Sequence, residues 1–129
     1  MDWRTLTSLT AREMLTSLKA RETSSRELVD AHIAAILARD ETVNAVCTRA
    51  FERARQEVDS ADQAPDTAGA LHGLPVLIKD NQMTAGIRTT LGSPTRRDFV
   101  PDTDAGIVAR IRAAGGIVLG KTNIPEYSI

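Results

Sequence analysis

Aromatic side chains are scarce: the 129 residues hold one Trp, one Tyr and two Phe. A core built from this inventory must rest on Leu, Ile, Val and Ala. A single cysteine, Cys47, excludes an internal disulfide and fits a reduced, cytoplasmic setting. It stands in the apolar context NAVCTRA and reads as packing filler rather than a nucleophile. No apolar run approaches the ~18 residues needed to cross a membrane. The N-terminus, MDWRTLTSLTAREM, has an early acid and no apolar h-region, so it does not read as a signal peptide. Formal net charge is -1, without the basic footprint of a nucleic-acid binder, and the arginines read as solvated helix faces. His-x-x-x-His and Cys-x-x-Cys spacings are absent. A metal site therefore has no support, and no cofactor is expected.

What is present is the balance of a globular chain, 42% hydrophobic and 26% charged, of a length that suits one domain. Thr10 and Glu13 have capping-box spacing before the stripe Ala11, Met14, Leu15 and Leu18, which predicts a helix from about Ala11 to Ala20. Ser24 and Glu27 repeat the signal before Leu28, Val29, His32, Ile33, Ile36 and Leu37, predicting a helix from about Ser25 to Arg39. Ser24 is thereby explained as a cap, and His32 as a hydrogen-bonded histidine at the core boundary. NAVCT suggests a short strand. Ala50, Phe51, Ala54, Val58 and Ala61 give a third helical stripe, and the polar stretch Ser60 to Ala70 reads as an exposed connector.

Beyond Leu71 the pattern becomes α/β. PVLIK is a short apolar run of the buried-strand kind, and IVLG, Ile117 to Gly120, is another. Between them lie a long connection broken by Gly86, Gly92 and Pro94, and a helix with the face Ile107, Val108, Ile111 and Ala114. Thr103 or Asp104 is placed to cap that helix, and Gly115 to end it in a left-handed turn. Long ordered loops tend to be functional. Strand, helix, strand makes a βαβ unit. Two parallel strands do not make a stable sheet alone, so the expectation is either a partner chain that supplies more strands or the front of a longer protein, the second being favoured.

Ligands of parallel α/β sheets sit beyond the carboxyl ends of the strands. Lys79 ends the first strand and Lys121 the second. An amine among Val, Leu and Ile is desolvated, which disfavours the ammonium and makes a neutral general base available. Asp80 works in the opposite direction if its carboxylate turns inward. Spacing alone leaves open which lysine is functional, or whether both simply face water. GGIVLGKT, from Gly115, matches the phosphate-loop pattern letter for letter. The mechanism needs a strand before the loop and a helix after Lys-Thr. Here a helix comes before, the middle residues read as the strand itself, and Pro125 follows, so a nucleotide site is not expected. His72 reads as a turn histidine bonding local backbone. Ser93 lies in the long loop without a nucleophile elbow.

Three blocks, LHGLPVLIKDN, AGIRTTLGS and DAGIVARIRAAGGIVLGKTNIPEYS, in this order from Leu71 to Ser128, resemble the front third of an amidase signature enzyme. The preceding LTAREMLTSLKARETSSRELVDAHIAAI resembles that family's N-terminal helical arm. The resemblance implies an incomplete amidase signature fold. Its helical arm would span 1–64, a connector 65–70, and the first part of a mixed or parallel α/β core 71–129. It implies amide hydrolysis or transfer by a Ser-Ser-Lys triad. Lys79 matches the lysine that takes a proton from a relay serine held by a cis peptide bond. The relay serine in turn activates the serine that forms an acyl-enzyme, with backbone amides as the oxyanion hole. Asp80 and Asn81 are expected to support Lys79. Lys121 matches a family lysine without that catalytic role.

In the family, the glycine- and serine-rich signature lies downstream of the KTNIPE block, and no Gly-Gly-Ser-Ser run occurs in these 129 residues. The nucleophile and relay serine are therefore not expected here, and the chain alone is expected to hydrolyse no amide. In the complete enzyme the partner would be a small-molecule amide. NIPEYS resembles the hydrolase version of its block, which favours a stand-alone amidase over the amidotransferase component that amidates a mischarged tRNA. The contrasting reading is a non-catalytic module that associates through an exposed sheet edge, as a homo-oligomer or with a partner chain.

Overall fold

Two capping boxes start the helices that pack the sheet. Thr10 Oγ1 accepts the Glu13 N–H at 3.2 Å, while the Glu13 carboxylate accepts the Thr10 N–H at 2.7 Å. Ser24 and Glu27 repeat the pair at 3.1 and 2.8 Å. Each cap is worth about 1 kcal/mol. A computed structural model describes residues 2–64 and 69–129, and most of the connector expected over 65–70 lies outside the described residues. The elements are α1 (Trp3–Leu6), α2 (Ala11–Lys19), α3 (Ser25–Val43), β1 (Val46–Arg49), α4 (Phe51–Gln63), β2 (Pro75–Lys79), α5 (Gly106–Ala113) and β3 (Ile117–Thr122). Among the described residues, no helix is long and apolar enough to cross a membrane.

Three elements depart from the sequence reading. Helix α3 runs to Val43, four residues past the expected end, because Asp40 builds a terminus there. The Asp40 carboxylate accepts the N–H groups of Ala45 (2.6 Å) and Val46 (3.1 Å), and Asn44 takes the left-handed conformation. Helix α4 continues through Ser60–Gln63, which the sequence assigned to the connector. Its polar end is held by tertiary contacts: Asp62 accepts the Ser25 and Arg26 N–H groups at the start of α3, at 2.7 and 3.1 Å. Neither Thr103 nor Asp104 caps α5, whose N-cap is Ala105 without a side-chain bond. Asp104 instead accepts the Ala85 N–H at 2.7 Å and pairs with Arg112 at 3.4 Å. The end of α5 follows expectation. Gly115 has φ +94°, and its N–H and that of Gly116 bond to the carbonyls of Arg112 and Ile111 at 3.0 Å each.

The sheet is mixed, with strand order β1-β3-β2: β2 pairs parallel to β3, and β1 pairs antiparallel to it. Central β3 has apolar layers on both faces. Ile117 and Leu119 pack against Val29 and Ile33 of α3 and Ala54 and Val58 of α4. Val118 packs with Ile78, Ile87 and Val108 of α5 on the other face. Full burial of each such side chain contributes about 1.5–3 kcal/mol. A third cluster joins Leu6, Met14, Leu28, Ala31 and Leu74. Among the described residues β1 and β2 are the edge strands, and Leu77 of β2 is 39% exposed.

β3 carries a bulge. Val76 pairs with Val118 and Leu77 with Gly120, so Leu119 is an extra residue. Strict alternation would put Lys121 on the face of Ile117 and Leu119. The bulge puts it instead beside Ile78, on the face of α5 and the long loop. Gly120 is required at this point, because a Cβ there would lie 2.3 Å from the Thr48 carbonyl oxygen of β1. Backbone cannot give way as a flexible side chain can. Gly120→Ala is expected to destabilise the fold by about 1–3 kcal/mol in urea denaturation.

Asp40 also sets the acid response. Burial works to raise its pKa, but the Ala45 and Val46 N–H groups and Arg49 outweigh burial and bring it below the usual 3.8. Glu13 and Glu27 are likewise lowered, first by the backbone N–H of their cap partners. A depressed carboxyl pKa adds stability that is complete above the unfolded value and is lost as pH falls through the folded one. The melting temperature should therefore drop on acidification below about pH 4. Asp40→Asn should melt lower than the parent at pH 7 and fall less steeply in acid.

Candidate active site

Lys79 and Lys121 both emerge at the carboxyl edge of the parallel pair, in register with Thr122 and Ile78 respectively. Their environments are opposite. Lys121 is completely buried, whereas Lys79 is exposed. The desolvation expected of both amines therefore holds for Lys121 alone. The reason is the position of β2. Its inward residues are Ile78 and Asp80, and alternation turns Lys79 to the open side. Among the described residues, Lys79 has no side-chain hydrogen bond or ion pair.

The Lys121 ammonium has three internal oxygen partners. Nζ donates to the Gln82 carbonyl oxygen at 2.7 Å and to Thr89 Oγ1 at 2.8 Å, and lies 3.6 Å from Asp80 Oδ1. Two of the ammonium's three donors are thus hydrogen-bonded, and Asp80 is its ion-pair partner. Burial lowers the Lys121 pKa, and the Asp80 charge opposes that shift. The Asp80 carboxylate turns inward, as weighed from the sequence, but it faces Lys121. It also accepts the Thr90 N–H (3.2 Å) and the Thr90 hydroxyl. Cys47 of β1 stands nearby. Its half-buried Sγ donates to the Lys121 carbonyl at 3.6 Å, and burial, followed by the Asp80 charge, raises its pKa. That fits packing filler and not a thiolate nucleophile.

The loop after β2 is ordered by its own backbone. Gln82 N–H bonds to the Lys79 carbonyl at 3.0 Å, Leu91 N–H to that of Asp80 at 3.1 Å, and Thr89 N–H to that of Phe99 at 2.9 Å. Arg88 ties it to β1 through Thr48 Oγ1 (3.1 Å) and the Cys47 carbonyl (3.0 Å). Residues 124–128 lie across the same loop. Asn81 Nδ2 donates to Ser128 Oγ at 3.2 Å, Ser93 Oγ donates to Glu126 at 2.9 Å, and Gly92 backs onto the carbonyls of Ile124 and Pro125. Lys79, Asp80 and Asn81 thus share one turn, but only Asp80 and Asn81 are engaged. Ser93 is buried, with its hydroxyl bonded to Glu126 and Thr95. Thr89, Thr90 and the Gln82 carbonyl were not singled out by the sequence. The available signal was a lysine at one strand end facing an aspartate at the other.

The remaining candidates fall to structural roles. His32 Nδ1 meets the Leu28 carbonyl at 2.7 Å within α3. His72 reaches the Ala61 carbonyl of α4 at 2.7 Å instead of local turn backbone. GGIVLGKT is helix end and strand: its lysine is inside the fold, and only a short turn at Glu126–Ser128 follows. Two cavities lie elsewhere, one of about 460 Å³ beside Leu18, Ser24 and His72, the other of about 420 Å³ along Ile36, Val43 and Leu77. Lys79 lines neither.

The family model described as Amidase matches residues 27–129. Over 126 residues the chain is 40% identical to a glutamyl-tRNA(Gln) amidotransferase component of Granulibacter bethesdensis, covering 96% of this chain and 25% of that protein. Among solved structures, the peptide amidase of Stenotrophomonas maltophilia aligns with a TM-score of 0.82 at 35% identity, covering 91% of this chain and 25% of that one. A vestigial protein complex described as revealing the evolutionary origins of an s-triazine catabolic enzyme aligns with a TM-score of 0.85 at 32% identity, covering 92% and 27%. The chain thus spans about a quarter of the length of the curated relatives it matches. With the family model matched over most of its length and the fold shared with solved amidases, the chain belongs to the amidase signature family of amide-cleaving enzymes.

Proposed function

We propose that this chain supplies the general base of an amidase that cleaves a carboxylic amide by a Ser-Ser-Lys mechanism, with Lys79 as the base. One observation supports it most: of the two amines at the carboxyl edge, Lys121 is buried in two hydrogen bonds and an ion pair, and Lys79 is exposed and uncommitted. Lys79 takes the proton of a relay serine, which takes that of the nucleophilic serine. The nucleophile attacks the carbonyl carbon, the C–N bond breaks, and the nitrogen leaves with a proton. Water then hydrolyses the acyl-serine ester. Both serines come from outside these 129 residues, which contain no Gly-Gly-Ser-Ser run. A cytoplasmic setting, and a division into an arm over 1–64 and the start of the core over 71–129, belong to the same reading.

The test grafts residues 1–129 in place of the matching quarter of the Stenotrophomonas peptide amidase. Hydrolysis of a peptide amide by the graft, its loss in Lys79→Ala, and no turnover by the 129 residues alone are the expected results. Turnover by the isolated chain, or by the Lys79→Ala graft, would sink the proposal.

A second reading has its own support: the Granulibacter relative, 40% identical over 96% of this chain, is part of an amidotransferase. Glutamine-dependent amidation of glutamyl-tRNA, with no hydrolysis of simple amides, would favour it. Association through the β2 edge, where Leu77 is 39% exposed, is compatible with both readings.

A further inference from the structure

Lys121 has no part in the proton relay described above, yet it is the most tightly held amine in the chain. Its three contacts follow a pattern. Asp80 is the residue after Lys79, Gln82 closes the turn through Lys79's own carbonyl at 3.0 Å, and Thr89 belongs to the loop that folds back over that turn. Asp80 is fixed a second time by Thr90, and its own N–H bonds to the Thr122 carbonyl at 3.1 Å. The backbone immediately after Lys79 is therefore tied to β3 twice, by the Asp80 N–H bond and by one buried ammonium. Among the described residues β2 is an edge strand, with sheet pairing on one side only, so the direction in which the chain leaves β2 depends on both ties.

We propose that Lys121 is a positioning residue for the Lys79 base, holding the Asp80–Gln82 turn so that the Lys79 side chain leaves the sheet in a fixed direction. The inference rests on the amidase reading for its purpose, but the mechanical claim does not. Misplacement by about 1 Å at a distance from the chemistry can cost about 100-fold in rate. A loosened turn should thus act on turnover and not on substrate binding.

Two measurements test it. In the 129-residue chain, amide hydrogen exchange is followed at Asp80, Gln82 and Ile117 for Lys121→Met and for the milder Thr89→Val, which removes one of the three contacts. The expected result is about tenfold faster exchange at Asp80 and Gln82 than the change at Ile117 accounts for. Equal acceleration at all three sites in both variants, the signature of global destabilisation alone, overturns the proposal. In the peptide amidase graft, Thr89→Val and Lys121→Met should lower kcat by about 10- to 100-fold with KM within about twofold, assayed well below their melting temperatures. Asp40→Asn, in an ion pair remote from the turn, should lower the melting temperature and leave kcat unchanged. Unchanged kcat in both turn variants, while Lys79→Ala is inactive, overturns the positioning role and leaves the base intact. Turnover by Lys79→Ala overturns the amidase reading, and the exchange result stands independently of it.

Discussion

Lys121→Met should destabilise the fold by about 3–5 kcal/mol. The thioether approximates the shape of the lysine stem and removes its charge. Asp80, 1% exposed, is then left as a buried carboxylate with only the Thr90 donors, and the Gln82 carbonyl and Thr89 hydroxyl each lose a partner. Breaking one side of a buried pair is more damaging than never having had the pair, because the survivor has already surrendered its water. The paired variant Asp80→Asn with Lys121→Met should therefore recover most of the loss. Urea denaturation at pH 7 decides the matter. A single-variant loss below about 1 kcal/mol would mean that the pair behaves like a surface contact.

Lys79→Ala has the opposite profile. The side chain is exposed and has no partner among the described residues. Stability should change by no more than about 0.5 kcal/mol. In the peptide amidase graft, however, turnover should fall by about 1000-fold or more, since general-base catalysis alone contributes about 100- to 10,000-fold and triad members act as a unit. Lys79→Arg should not rescue it, because a guanidinium stays charged and cannot accept the proton. Rescue by arginine would show that charge at position 79, and not basicity, is what the reaction uses. The two lysines thus divide along a clean experimental line, one measured mainly by denaturation and the other by turnover alone.

Local signals in the sequence located most elements. Thr10 with Glu13, Ser24 with Glu27, and Gly115 after α5 are interactions between residues within a few positions of one another, and each appears as read. Legibility ends where a residue's role depends on something far along the chain. Ser60–Gln63 look like a connector because their reason for being helical is Asp62 gripping Ser25 and Arg26, more than thirty positions earlier. Asp104 looks like a cap until Ala85 and Arg112 claim its carboxylate. The site follows the same rule. That two lysines share the functional edge follows from strand polarity, and the KD pair pointed at Lys79. Which amine is buried could not be read, because burial depends on the edge position of β2 and on one extra residue in β3.

That extra residue makes β3 a counted segment as well as an apolar one. Strand faces alternate with a period of two: losing Leu119 would restore regular alternation and keep Lys121 beside Ile78, but gaining one more residue between Ile117 and Gly120 would invert the parity of everything after it. Lys121 would then be delivered among Val29, Ile33 and Val58, where apolar side chains would surround an ammonium. The identity of the β3 side chains can drift within the limits of volume, but their number cannot grow. In this stretch an insertion of one codon should be far less tolerated than any conservative exchange of one aliphatic residue for another.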